Sequence, residues 1–176
     1  MKFFSDIRLL ILAIWLGAAV FFVAVAQTAF AVLPEREMAG LVVNRTLTVL
    51  NFGGIGVVAI LLLTSVIGTA NVSRLWLWIE RFLLLLIGAA CAVGQFVFGF
   101  WLVSIRSQAG RPIEQLAEDD PLRVQFMTLH EYSVWVLMAG MVAALIAFFI
   151  IANRKFTKPA VDTKEDIYDF SKEFKA

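Results

Sequence analysis

The sequence predicts an all-α fold: an integral membrane four-helix bundle with a long outer connection and a short charged cytoplasmic tail. Three observations predict it. Hydrophobic residues make up 61% of the 176 residues and charged residues only 16%, against about 45–50% and 25% in soluble domains. The apolar residues gather into four runs, each close to the roughly 20 residues that a membrane-crossing helix needs. None of these runs alternates apolar and polar residues, which excludes a membrane β-barrel.

The first run, Leu9 to Leu33, holds 25 residues without a charge. At 1.5 Å per residue it reaches about 37 Å, enough to cross a hydrocarbon core of about 30 Å with tilt. Lys2 and Arg8 ahead of it and Ala29-Phe30-Ala31 at its end imitate a secretory signal. The apolar core of such a signal is roughly 7–15 residues, so the run is read as a retained span. The other spans are expected over residues 47–67, 82–105 and 132–152, which makes 1–153 the membrane domain and 154–176 the tail.

Pro34 ends the first span, and Glu35 to Arg45 is expected to form a short interfacial helix leading into the second. Thr69 to Ser73 reads as a tight inner turn, followed by Trp76 and Trp78 where an aromatic belt belongs. The long outer connection runs from Arg106 to Glu131. Within it, Asp120-Pro121 is a helix start, with Asp at the N-cap and Pro at the first helical position. The fourth helix should therefore begin near Pro121, outside the membrane, and bring His130 to the point where it enters the bilayer. In the tail, Ile167, Phe170 and Phe174 have the spacing of a short amphipathic helix.

Four spans place both termini on one side. That side holds Lys2, Arg8, Arg74, Arg81 and Arg154 with the five tail lysines, and the other holds Arg36, Arg45, Arg106, Arg111 and Arg123, ten against five. The positive-inside rule then puts both termini in the cytoplasm, with the protein in the cell's inner (plasma) membrane. The lipid bilayer is the first expected partner. A net charge of +1 offers no basic face for nucleic acid.

Small residues supply helix-packing material: Gly53, Gly54 and Gly56; Gly88, Ala90, Ala92 and Gly94; and Ala139, Gly140, Ala143 and Ala147. Packing within the bundle is their default reading, and a homodimer or larger membrane complex is the sharper one. Ala24-Val25-Ala26-Gln27 and Ala92-Val93-Gly94-Gln95 echo each other, which would fit a duplicated helix hairpin.

Polar residues inside spans are expensive and are functional candidates by default. The candidate polar site is His130, Ser133, Gln27, Asn51, Gln95 and Arg45. The three amides also suit interhelical hydrogen bonding, Arg45 suits anchoring at the interface, and Glu80 and Arg81 read as solvated at the inner boundary. His130, the single histidine, titrates near neutral pH and is able to ligate a metal or haem. Metal ligands are otherwise scarce: one His and a mid-membrane Cys91 do not make a zinc site. A haem with two His ligands would need a second subunit. No nucleophile–base set, phosphate loop or paired cysteines appear, so an enzyme is not expected.

Trp15-Leu16-Gly17, Phe22, Leu33-Pro34 with Ala39-Gly40, and Leu129-His130 with Ser133, in this order and spacing, resemble the transmembrane protein 205-like family. The resemblance covers roughly Arg8 to Arg154 and implies a four-helix membrane bundle of unknown function. One turn after Ser133 this chain has Leu137, where that family commonly has Asn. In architecture the chain is also similar to copper-resistance-D-like bundles. The leading expectation is a non-enzymatic membrane protein of small-solute or stress-related function, or a subunit of a membrane complex. The alternative is a redox membrane protein that binds haem or a quinone between its helices.

Overall fold

In the computed structural model, residues 2–65 and 74–153 are described. The expected inner turn at Thr69–Ser73 and the tail with Ile167, Phe170 and Phe174 lie outside them. The described residues are helical almost throughout: α1 (Lys2–Val32), α2 (Arg36–Thr64), α3 (Arg74–Ala92), a π-helical segment (Val93–Phe98), α4 (Gly99–Ala109), a 3-10 turn (Ile113–Gln115) and α5 (Pro121–Ala152). α3, the π segment and α4 form one rod of 36 residues, so four helices are long and apolar enough to cross a membrane. This is the all-α four-helix membrane bundle.

The helices close a ring. α1 packs on α2 and α5, α2 on α3, and α3 on α5. Heptad-like stripes make the contacts: Ser5, Arg8, Leu12, Trp15, Ala19 and Phe22 on α1, and Leu77, Glu80, Leu84, Ile87 and Cys91 on α3, are all buried. Only 22–28% of each span's apolar stretch is buried inside the bundle. The outward faces carry Phe21, Phe52, Leu63, Leu85, Phe100 and Phe149, all exposed. Such a surface suits lipid, because lipid rather than water is the apolar partner there.

Small residues set the distances within the ring. A Cβ on Gly140 of α5 would come 3.2 Å from Cβ of Ala90, and one on Gly88 would come 3.1 Å from Val58. Ala143 and Ala147 are buried beside Gly140. The packing reading therefore holds for these positions, whereas Gly53 and Gly56 face open space.

Two local expectations change. The separate interfacial helix at Glu35–Arg45 is absent; α2 runs unbroken from Arg36, and Gly40 within it is buried against Arg106. Glu80 is not solvated: it is 1% exposed. The start of α5 follows the sequence, with Pro121 first and the Asp120 side chain accepting the Leu122 N–H at 2.9 Å. Asp120→Ala should lower the unfolding free energy by about 1 kcal/mol, measured by thermal unfolding in detergent. The connection before it is tied down by Ile105, Ile113, Leu116 and Leu129, which form a second small core.

Candidate functional site

Two polar loci lie inside the bundle. The first is a cleft between α2, the α3–α4 rod and α5. Trp15, Asn44, Asn51, Cys91, Gln95, Ser133 and Leu137 are among its lining residues, and its volume is about 40 Å³. That is room for about three water-sized groups. Its mouth and floor differ. Asn44, Phe98 and Ser133, toward the end of the bundle that carries the Arg106–Asp120 connection, are half-buried, whereas Asn51, Trp15, Cys91 and Gly140 at the other end of the cleft are buried. From Asn44 to Asn51 the cleft descends about 10 Å along α2.

Asn51 is the unusual member. It is 3% exposed, and its amide makes no hydrogen bond with any described residue. Both amide atoms keep contact with the cleft space; among the described residues the fully buried side-chain polar atom without a partner is Arg8 Nε. The position of Asn51 depends on Gly94, where a Cβ would come 3.3 Å from Asn51 Nδ2. Gly94 also begins the π turn: the Gly99 N–H bonds to the Gly94 carbonyl, five residues back instead of four. The extra residue in this turn falls at the cleft, next to Gln95. Such π segments are frequent at functional sites. Below Asn51, the Trp15 Nε1–H donates to the Leu50 carbonyl at 3.1 Å and fixes the indole across the floor.

The second locus is a buried ion pair toward the N-terminal end. Arg8 Nη2 lies 2.6 Å from Glu80 Oε1 and donates to the Leu61 carbonyl at 2.9 Å. Arg8 is 5% exposed and Glu80 1%. The pair therefore joins α1, α2 and α3 through one guanidinium. Nearby, Arg81 Nε donates to Ser65 Oγ at 3.1 Å. Leu12, Leu61, Leu84 and Ile87, all essentially inaccessible, fill the core on the same stretch of these helices.

The sequence-derived site thus divides. Asn51, Gln95 and Ser133 line one cleft. Gln27 and Arg45 are exposed on α1 and α2 and do not line it. His130 is exposed too; its ring lies parallel to Phe126 at 6.4 Å. Its tie to Ser133 is a bond from Ser133 Oγ to the His130 backbone carbonyl, within the helix. The Gln27–Gln95 echo has no structural counterpart, since Gln27 is exposed in regular α-helix and Gln95 half-buried in the π turn. Asn44 and the Arg8–Glu80 pair are polar members that sequence reasoning missed.

The cleft does not fit a haem. No histidine lines it, and the volume is far below that of a macrocycle. A quinone ring likewise exceeds it. Among the described residues no group of three or more His, Cys, Asp or Glu comes together to hold a metal ion.

The fold and the cleft define a multi-pass helical membrane protein with a small neutral polar site inside its bundle. Residues 10–111 match the family described as a domain of unknown function, DUF4149, and the chain belongs to that family. The matched stretch holds Trp15, Asn44, Asn51, Gly94 and Gln95 and ends before Ser133. No curated protein and no solved structure matches the chain.

Proposed function

We propose that this protein is a non-enzymatic small-solute protein of the cell's inner membrane, with both termini in the cytoplasm. It admits an uncharged hydrogen-bonding molecule of a few heavy atoms into the cleft from the outer end. The observation that carries the reading is Asn51, a residue 3% exposed whose amide opens onto the floor of the cleft and has no hydrogen-bond partner among the described residues. The lining is amides, a hydroxyl, an indole and apolar groups, so it has donors and acceptors but no charge to hold an ion. The Arg8–Glu80 pair and the core beside it close the opposite end, so passage across the bilayer requires that end to open in a second conformation.

The orientation rests on the basic residues, which favour the N-terminal side even when the paired Arg8 is left out. We infer a closer kinship with the transmembrane protein 205-like family from Trp15-Leu16-Gly17, Phe22, Leu33-Pro34, Ala39-Gly40 and Leu129-His130 with Ser133, of which Trp15, Phe22, Ala39, Gly40 and Leu129 are buried in the bundle and Gly17, Pro34 and His130 are exposed. Leu137, at the place of that family's Asn, lines the cleft, so this chain has one amide fewer there.

Stopped-flow light scattering of proteoliposomes tests the reading. With gradients of formamide, urea and glycerol, at least one solute should equilibrate faster than in protein-free vesicles, and Asn51→Leu should abolish the difference. Asn51→Leu breaks no hydrogen bond to a described residue, so its unfolding midpoint should match that of the wild type. Equal rates for protein-free, wild-type and Asn51→Leu vesicles with all three solutes would overturn transport.

A further inference from the structure

A separate pocket of about 250 Å³ lies at the end of the bundle away from the N-terminus. Arg106 and Arg111 line it together with Glu37 and Glu114. None of these four makes an ion pair within 4.0 Å with a described residue. Two cations and two carboxylates therefore share one pocket without neutralising each other.

Arg106 is the anchor of this arrangement. It is half-buried, and its guanidinium makes no hydrogen bond with a described residue. Packing holds it instead. Its Cζ lies 5.1 Å from the centre of the Phe126 ring, and its Nη2 lies where a Cβ of Gly40 would be only 2.7 Å away. A planar guanidinium laid on an aromatic face, with its N–H groups unspent, is suited to a bidentate phosphate oxygen pair.

We propose that this pocket binds the phosphoethanolamine headgroup of a membrane lipid, with the phosphate on Arg106 and Arg111 and the ammonium on Glu37 and Glu114. Each charge of the pocket then meets its opposite. The ammonium has three N–H donors for carboxylates, which a choline headgroup lacks. A lipid is the source because the pocket lies at the end of apolar membrane-spanning helices, and Leu41, one turn along α2 from Glu37 and on the same face, is an exposed apolar side chain. The proposal does not depend on the solute cleft, with which the pocket shares no residue.

The test titrates short-chain lipids into the detergent-purified full chain and reads the unfolding midpoint. Dihexanoyl phosphatidylethanolamine should raise it more than the matching phosphatidylcholine or phosphatidylglycerol. The gain should vanish in Arg106→Gln, shrink in Glu37→Gln and persist in part in Arg106→Lys. Without lipid, Arg106→Gln should unfold slightly earlier than the wild type, because it loses the contact with the Phe126 ring, so the comparison is of the lipid-dependent gain in each protein and not of the lipid-free midpoints. Equal shifts in wild type and Arg106→Gln, or no shift with any lipid, would overturn the site. Equal shifts with phosphatidylglycerol would overturn the zwitterionic class. A shift of the same size with chain-free glycerophosphoethanolamine would overturn the lipid as its source.

Discussion

Glu80→Ala should lower the stability of the bundle by about 3–5 kcal/mol, the typical consequence of removing one partner of a buried ion pair. The reason is Arg8. At 5% exposure it would keep its charge among Leu12, Leu61 and Leu84 with only the Leu61 carbonyl to meet it. Arg8→Met should cost less, because carboxylates accept a proton more readily than a guanidinium gives one up. The double variant Arg8→Met/Glu80→Leu should recover most of the loss, since two apolar groups of similar volume often replace a buried pair without penalty. Unfolding of the detergent-solubilised chain by graded SDS would measure all three. A double variant no more stable than Glu80→Ala would show that the pair does more than satisfy itself.

Gly54→Ala is expected to destabilise by about 1–3 kcal/mol, the usual cost of overpacking a filled core. At Gly54 three helices meet: a Cβ there would come 2.5 Å from Cys91 Sγ of α3 and 2.7 Å from Trp15 Nε1 of α1. The indole cannot move aside without losing its bond to the Leu50 carbonyl. Gly53→Ala and Gly56→Ala meet nothing within 4 Å, and should be neutral or gain up to about 1 kcal/mol from helix propensity. Thermal unfolding of the three variants side by side would separate them. Equal effects at all three positions would contradict the close approach of α1, α2 and α3 at Gly54.

Much of the fold was legible because lipid demands long apolar helices, and the four runs have the required length. The start of α5 was legible because Asp120-Pro121 acts locally. The ion pair was harder, since its partners lie 72 residues apart and each stands at a span edge near another charge, Arg8 two residues after Asp6 and Glu80 beside Arg81. A signal was nevertheless present. Arg8 continues the Leu12, Trp15, Ala19 stripe, and Glu80 stands between Leu77 and Leu84, so both charges occupy positions of the buried heptad face. The rotation of each helix, and hence burial, follows from that stripe rather than from distance to the membrane edge.

The site was legible in part. Asn51, Gln95 and Ser133 converge as intramembrane polar residues often do. Their meeting depends on the π turn, and one additional residue in a helical turn leaves no period in Val93–Phe98 to reveal it. His130 drew weight as the single histidine, yet its ring stacks with Phe126 outside the cleft. Gln27 and Arg45 are polar by type, but their helices turn them outward.

The most direct test of the cleft is quenching of Trp15. Of the five tryptophans, Trp76, Trp78, Trp101 and Trp135 are exposed and would be replaced by Phe, while Trp15 is 5% exposed and lines the cleft floor. In lipid nanodiscs, acrylamide, a small uncharged amide, should quench Trp15, and iodide should not. Asn51→Leu should remove the acrylamide effect. Quenching by neither agent, or undiminished acrylamide quenching in Asn51→Leu, would contradict a cleft that admits small neutral solutes as far as Asn51.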